Sequence, residues 1–147
     1  PDIILASYHG IPKKYFDKGD PYHCYCHKTS SVIKETFKKD IPILTTFQSR
    51  FGPQEWLQPY TDKTLEKLPK EGKKNIWVIS PGFSSDCVET LEEISIQGKE
   101  SFLESGGEKF DTIPCLNDNE DHIKLLVHLI NKSIRKWIFI WYLNPYI

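Results

Sequence analysis

The chain has 147 residues, of which 39% are hydrophobic and 27% are charged. This length and composition are typical of one globular domain with a sizeable core, and they exclude an intrinsically disordered protein. With 19 basic and 20 acidic residues the net charge is -1, so the electrostatic signature of a nucleic-acid-binding protein is lacking.

The chain contains no Met and begins with Pro1, which leads directly into an apolar run. This beginning predicts a fragment of a longer protein. Its four cysteines are too few for a disulfide-rich secreted scaffold of this length, and we expect them to be reduced thiols of a cytosolic protein.

Short apolar runs alternate with longer amphipathic segments along the chain. We expect strands at residues 3–8, 41–47, 75–80 and 110–116, and helices at residues 22–39, 61–70, 88–104 and 118–137. Asp62 is a candidate N-cap of the second helix. Four repeats of strand and helix predict an α/β fold, with a four-stranded parallel sheet, right-handed crossovers and helices on both faces.

The last predicted helix carries apolar residues at helical spacing. We expect its inner side to be formed by Ile123, Leu126, Leu129 and Ile130.

Open parallel sheets bind ligands at the carboxyl ends of their strands. Four loops follow those ends here, beginning near His9, Gln48, Pro81 and Leu116. The first loop places His9 directly at a strand end, before a Gly and a Pro. A neutral imidazole there is suited to accept a proton or to bind a metal, although a hydrogen bond that merely holds the loop is the more ordinary use of a single histidine.

The third loop leads into a helix whose first turns are acidic. Glu89, Glu93 and Gln97 recur every four residues and therefore share one helix face, where two carboxylates are suited to bind a cation or to transfer protons. Asp86 either joins them or caps the helix. The alternative is a solvated acidic first turn that is favourable with the helix dipole.

Two further segments are unusual. The second loop, residues 47–57, is rich in aromatic residues, which suits either an apolar ligand site or a lid packed on the core. The segment from His23 to His27 contains Cys24 and Cys26. That cysteine spacing does not match structural zinc pairs, and no second ligand pair follows, so we do not expect a metal or iron–sulfur site there.

Five motifs in series resemble the ferrochelatase family in order and spacing. They are Ser7-Tyr8-His9-Gly10-Ile11-Pro12, Gly19-Asp20-Pro21-Tyr22, Phe47-Gln48-Ser49-Arg50-Phe51-Gly52, Trp56-Leu57-x-Pro59 and Pro81-Gly82-Phe83-x-x-Asp86-x-x-Glu89-Thr90-Leu91-Glu92-Glu93. The resemblance runs from residue 1 to about residue 130 and is strongest to bacterial members.

This resemblance implies the carboxyl-terminal lobe of a two-lobed enzyme, a Rossmann-like, chelatase-like lobe that lines one side of a porphyrin cleft. It implies His9 and Glu89 as catalytic and metal-binding residues, with Glu93 continuing the acidic line along a helix that is often partly of the π type. The remaining residues implied for substrate binding or for a proton and metal path are Asp86, Phe83, Trp56 and Arg50.

The activity implied is insertion of ferrous iron into protoporphyrin IX to form haem, the last step of haem biosynthesis. Ferrous iron and protoporphyrin IX would be substrates, no organic cofactor would be needed, and the partner would be the missing amino-terminal lobe. The fragment alone is expected to be almost inactive. A tetrapyrrole-binding module and a related chelatase for cobalt are the alternatives.

The chain departs from the family pattern at two positions. Many members have a histidine at the position of Cys87, and the position of Gln97 can be acidic, so the acidic line is expected to be shorter here. Some members bind a [2Fe-2S] cluster through cysteines near the carboxyl end. Since no cysteine follows Cys115, we expect no such cluster.

We expect the lobe to cover residues 1–136 and an apolar aromatic tail to cover residues 137–147. The tail is too short to span a bilayer, but it follows two basic residues and suits the membrane interface. Packing against the missing lobe is the other interpretation. The protein is expected to be cytoplasmic, with membrane association left open.

Overall fold

The computed structural model describes residues 1–143, with side chains described as far as Ile134. The four expected strands form a single parallel sheet. They are β1 (Ile3–His9), β2 (Ile43–Gln48), β3 (Asn75–Ile79) and β4 (Lys109–Ile113). The sheet order is β2-β1-β3-β4, so the chain starts in the interior of the sheet, crosses to one edge for β2, and then passes to the other side of β1 for β3 and β4.

β1 is the interior strand on which the sheet is built. Its residue Leu5 lies opposite Leu44 of β2 and Val78 of β3, and six of the seven residues of β1 are buried. A parallel strand is covered on both faces, which is why this segment is a continuous apolar run instead of an alternating one. The predicted fold class is therefore confirmed.

The helices agree with the prediction in position, but not all of them are α-helices. They are α1 (Lys13–Asp17), α2 (Tyr22–Phe37), α3 (Thr61–Lys67) followed by a 3₁₀ turn (Leu68–Glu71), a π-helix (Glu89–Gly98) that continues as α4 (Lys99–Glu104), and α5 (Glu120–Leu143). Helix α1 was not expected. The predicted cap at Asp62 is wrong, because α3 begins one residue earlier and Asp62 lies in its first turn.

The core consists of two clusters, one on each face of the sheet. Successive residues of a strand point to opposite faces, so Leu5 packs in one cluster and Ala6 in the other. The first cluster includes Leu65 of α3 and Phe102 of α4. The second includes Cys26 of α2. Helices thus cover both faces, as expected.

Residues 1–115 form one compact unit, and the residues from Leu116 onward form a second, which consists mainly of α5. The predicted inner side of this helix is wrong, because all four side chains assigned to it are at least 42% exposed. Periodicity indicates which face of a helix is apolar, but it does not supply a surface to cover that face.

The backbone of α5 continues to Leu143, but the side chains of the predicted aromatic tail, residues 137–147, lie outside the described residues. None of the helices in the described part of the chain has the length and apolar character needed to cross a membrane.

Gly107, at the turn between α4 and β4, lies against the fully buried ring of Phe102. A Cβ atom at this position would lie 2.1 Å from Cε1 of Phe102. We therefore expect Gly107→Ala to lower the free energy of unfolding by about 1–3 kcal/mol, as overpacked core positions do. Urea denaturation of the chain measures this loss.

The matched control is Glu104→Ala, an exposed position at the end of α4, where a change within about 0.5 kcal/mol is expected. Equal stability of Gly107→Ala and the wild-type chain would contradict this account of the packing.

Candidate active site

A cavity of about 480 Å³ opens beside the carboxyl ends of β1 and β2, against the π-helix. Its lining includes His9, Arg50, Glu89 and Glu93, four of the residues that the sequence predicts for the site. They come from three segments that are far apart in the chain: the end of β1, the loop after β2 and the π-helix. The parallel sheet brings them together because the carboxyl ends of its strands share one edge.

His9 is held by a hydrogen bond between its Nδ1 and the carbonyl oxygen of Gly10, at 2.7 Å. A carbonyl oxygen can only accept, so Nδ1 carries the proton. In the neutral ring the lone pair is therefore on Nε2, the atom that can take a proton or bind a metal. The backbone of His9 is also fixed, because Tyr22 of α2 donates its hydroxyl proton to the His9 carbonyl at 2.8 Å.

Gly10 is required by the close approach of the two loops. A Cβ atom there would lie 2.9 Å from the carbonyl oxygen of Gln48 and 3.3 Å from the ring of Trp56. The amide of Gly10 donates to that same Gln48 carbonyl at 2.8 Å. The loop after β1 is therefore fastened directly onto the loop after β2.

The acidic residues lie on the π-helix, Glu89–Gly98. Two side-chain hydrogen bonds span five residues, as this winding allows. Ser95 Oγ donates to the carbonyl of Thr90 at 2.8 Å, and Gln97 Nε2 donates to Glu92 Oε1 at 3.3 Å. The π type implied by the family resemblance is confirmed, and such winding is often found at functional sites.

Glu93 is held by three donors from the end of β2. The backbone N–H and the hydroxyl of Ser49 each donate to its carboxylate at 2.6 Å, and Gln48 Nε2 donates at 3.3 Å. A carboxylate has about four acceptor positions, so one remains for a further donor or a cation. The Glu93 side chain is therefore held in place, and it lines both the 480 Å³ cavity and a neighbouring one of about 420 Å³.

Gln48 joins the sheet to the π-helix and is only 2% exposed. Its Oε1 accepts from the hydroxyl of Ser7 at 2.7 Å, and its Nε2 donates to the backbone carbonyl of Glu89 at 2.8 Å as well as to Glu93. Ser7 is in turn linked to Thr61 of α3 at 2.9 Å. This buried chain of polar groups fixes where the first turn of the π-helix lies.

Glu89 faces the cavity with a lowered pKa. The main cause is a hydrogen bond from the thiol of Cys87, followed by one from the backbone of Glu89 itself, and the charge that His9 can carry adds to them. Glu89 is therefore ionised at neutral pH. Cys87 thus acts on Glu89, the predicted acidic partner of His9.

The two aromatic residues predicted for the site, Phe83 and Trp56, have different positions relative to His9. Phe83 lies beside His9, with ring centroids 6.3 Å apart. Trp56 is 9% exposed and packs behind Gly10, and its Nε1 donates to the carbonyl of Phe51 at 3.0 Å. It supports the loop that carries Phe51, which is 84% exposed and lines the cavity.

Asp86 and Arg50 are engaged by other groups. Asp86 accepts from the hydroxyl of Thr90 at 3.1 Å and from the backbone N–H of Cys115 at 3.3 Å, and it lines a separate small cavity. The structure does not bring it together with Glu89 and Glu93. The guanidinium of Arg50 lies over the ring of Tyr60 at 4.0 Å and is hydrogen-bonded to Asp62.

Within the described part of the chain, no three His, Cys, Asp or Glu side chains are grouped closely enough to hold a metal ion. Cys24 is exposed and Cys26 is buried, so this pair does not share a face of α2.

Sequence reasoning missed Gln48, Ser49 and Phe51 as residues of the site. Their signals were the aromatic, polar loop that contains them and the family motif from Phe47 to Gly52, in which only Arg50 was assigned a role.

A protein-family model described as ferrochelatase matches residues 1–134. Among curated proteins, a ferrochelatase from Rhizobium johnstonii is 57% identical over 141 residues, which cover 94% of this chain and 40% of the relative. A ferrochelatase from Francisella tularensis subsp. novicida is 52% identical over 137 residues, with 91% and 41% covered. The chain thus spans about 40% of the length of these relatives.

Among solved structures, a putative cobalamin biosynthesis CbiX protein from Marinobacter aquaeolei superposes with a TM-score of 0.57 at 10% identity, over 92% of this chain and 99% of that one. At that identity the match concerns the fold alone. The family model, in contrast, matches nearly the whole chain and includes all the loops that form the cavity. The chain belongs to the ferrochelatase family.

Proposed function

We propose that the chain is the carboxyl-terminal lobe of a ferrochelatase, which inserts ferrous iron into protoporphyrin IX to form haem. The observation that carries the proposal is the pairing of His9, whose Nε2 holds the lone pair, with the ionised Glu89 in one cavity at the strand ends. Ferrous iron and the porphyrin are substrates, and the reaction requires no organic cofactor.

Metal insertion has three barriers, which this site addresses with few groups. The ferrous ion sheds water, two pyrrole N–H protons leave, and the flat macrocycle bends toward the ion. His9 Nε2 is the acceptor for a pyrrole proton or a ligand for the incoming iron. Nitrogen and oxygen ligands bind ferrous iron moderately, which suits delivery more than storage. A wall that favours the bent macrocycle lowers the barrier selectively.

The two glutamates have different roles in this proposal. Glu93 is immobilised by Ser49 and Gln48 and presents a fixed negative charge. The Glu89 carboxylate has no partner on β2; it is hydrogen-bonded by the Cys87 thiol and by its own backbone, and it is the group proposed to pair with His9 or with an ion. Phe83 beside His9 and the exposed Phe51 provide apolar surface for a macrocycle. Trp56, Arg50 and Asp86 are proposed to act on the substrate indirectly, by supporting the surfaces that contact it.

The partner in this proposal is the remainder of the enzyme, which would form the opposite wall of the porphyrin site. A related chelatase for cobalt and a tetrapyrrole-binding module without catalysis are the competing functions. An assay with ferrous iron, cobalt and zinc against protoporphyrin and coproporphyrin separates them, because a binding module takes up the porphyrin without metalating it.

The central test places the chain in a complete enzyme. Residues 1–143 replace the matching segment of the Rhizobium johnstonii ferrochelatase, and ferrous iron insertion is followed by absorbance under anaerobic conditions. We expect the chimaera to be active and the chain alone to be nearly inactive.

We expect His9→Ala in the chimaera to lower kcat by about 100-fold or more, since it removes the proton acceptor or ligand, while porphyrin still quenches tryptophan fluorescence.

The control is His128→Gln, which removes an exposed histidine on α5 and should leave kcat unchanged. Turnover by His9→Ala close to that of the unsubstituted chimaera would refute the assignment of His9. Porphyrin binding without any metalation by the unsubstituted chimaera would favour the binding module.

A second prediction concerns the Gln48 amide. Gln48→Met keeps the volume but leaves the Ser7 hydroxyl, the Glu89 carbonyl and one bond to Glu93 without this partner. We expect the free energy of unfolding of the chain to fall by about 2 kcal/mol, because buried polar groups lose hydrogen bonds. In the chimaera we expect kcat to fall more than the KM for porphyrin rises, since Glu89 and Glu93 are displaced.

The matched control is Gln97→Met, the same substitution at an exposed position of the π-helix, where the change in unfolding free energy should stay below about 0.5 kcal/mol. Equal effects of the two substitutions on stability would contradict the role given to Gln48.

We further propose a cytoplasmic enzyme that touches the membrane surface through residues 137–147. Aromatic residues after two basic ones suit the interface, and the substrates are poorly soluble. We expect the chimaera carried through residue 147 to co-sediment with anionic liposomes more than the same protein ending at residue 136. Equal co-sedimentation of the two forms would refute membrane contact through this segment.

A further inference from the structure

Two histidines outside the proposed active site stand one turn apart on α2. His23 and His27 are four residues apart in Tyr22–Phe37 and therefore lie on the same face of the helix. Their ring centroids are 4.4 Å apart, with an angle of 49° between the ring planes. The spacing of Cys24 and Cys26 predicted no metal site in this segment. The helix instead juxtaposes the imidazoles.

The separation of the rings fits two ligands of one ion. A histidine nitrogen lies about 2.0–2.1 Å from a bound zinc ion, which puts each ring centre about 3 Å from the metal. Ring centres 4.4 Å apart then subtend roughly 90° at the ion, an angle that octahedral sites use and tetrahedral ones approach. Histidines at positions i and i+4 of a helix are also the pair that binds zinc in the H-E-x-x-H motif.

The ring nitrogens of this pair are available. In the part of the chain that the structure describes, His9 and His122 each place Nδ1 at 2.7 Å from a backbone carbonyl oxygen. No hydrogen bond of that kind engages the rings of His23 or His27 within the same residues. His27 is exposed and His23 is half-buried, so an ion can reach the pair from solvent.

His23 is also held in place by two aromatic rings. It lies 4.8 Å from Phe16, at the end of α1, and stacks on Phe47 at 5.7 Å with an angle of 21° between the planes. Phe47 is fully buried at the end of β2, so it forms a rigid base. A ligand whose orientation is restricted before binding loses less conformational entropy when the ion arrives.

We propose that His23 and His27 form a two-histidine binding site for a first-row divalent transition-metal ion, with water completing its coordination. Imidazole nitrogens bind Zn²⁺, Ni²⁺, Cu²⁺ and iron, whereas Mg²⁺ and Ca²⁺ prefer oxygen. The buried thiol of Cys26 points into the core cluster, so the site consists of imidazoles. It is distinct from the cavity lined by His9 and Glu89 and does not depend on the function proposed for that cavity.

The test uses the chain with Ni²⁺ as the probe. Side-chain ¹H–¹⁵N spectra of the histidines are recorded at increasing Ni²⁺, with the thiols kept reduced, and the apparent Kd of the pair is obtained from the His23 and His27 resonances, separately from that of His9. Resonances of His23 and His27 should broaden together, at lower Ni²⁺ than that of His128. His27→Gln should weaken binding at His23 by about 100-fold, because the second ligand no longer binds within the same molecule.

His128→Gln, which removes an exposed histidine with no histidine four residues away, should leave the affinity of the pair unchanged. Since the side chain of His27 is exposed, His27→Gln should retain the fold, which circular dichroism verifies. The proposal is overturned if His27→Gln binds Ni²⁺ as tightly as the wild-type chain, or if His23 and His27 respond no earlier than His128. Neither result depends on metalation activity.

Discussion

The side-chain amide of Gln48 is the contact on which the candidate site depends. It is buried at the end of β2, where its oxygen takes the Ser7 hydroxyl and its nitrogen serves both the Glu89 carbonyl and the Glu93 carboxylate. A buried polar group without a partner is costly, so all three bonds are satisfied only when β1, β2 and the π-helix have one relative position. The site is therefore specified by the geometry of one amide, and the loops around it conform to that geometry.

The π-helix follows from the same constraint. Its wider winding is intrinsically less favourable than an α-helix, but side chains here form hydrogen bonds across five residues, from Ser95 to Thr90 and from Gln97 to Glu92. The Glu89 carbonyl, in the first turn, receives its donor from Gln48. The sheet thus supports the unusual winding, and the winding in turn directs Glu89 and Glu93 to the same cavity.

The sequence was sufficient for the sheet and for the loops that carry the site. Buried parallel strands are continuous apolar runs. His9 ends β1 and Glu89 begins the helix that follows β3, so their meeting at one edge of the sheet follows from topology. Gln48 was not predictable, because an amide becomes important only through partners that lie 41 and 45 residues away. The inner face predicted for α5 also failed, since an apolar stripe does not identify its covering surface.

Asp86 is a second residue whose partners could not be predicted from its position in the sequence. Its position three residues before Glu89 suggested either a shared acidic line or a helix cap, but its carboxylate accepts from Thr90 and from the backbone of Cys115, and the N-cap position is Val88. Proximity in sequence was thus a poor guide for a residue in a loop that turns before the helix begins.

The side chains of Glu93, His9 and Glu89 are held in place in different ways. Most acceptor positions of the Glu93 carboxylate are occupied by donors from Ser49 and Gln48, so this carboxylate is held in place. The His9 ring is held through one nitrogen by the carbonyl of the next residue, and the Glu89 carboxylate by the Cys87 thiol and its own backbone. The sheet therefore positions the Glu93 side chain directly, whereas the side chains of His9 and Glu89 are positioned by groups close to them in the chain.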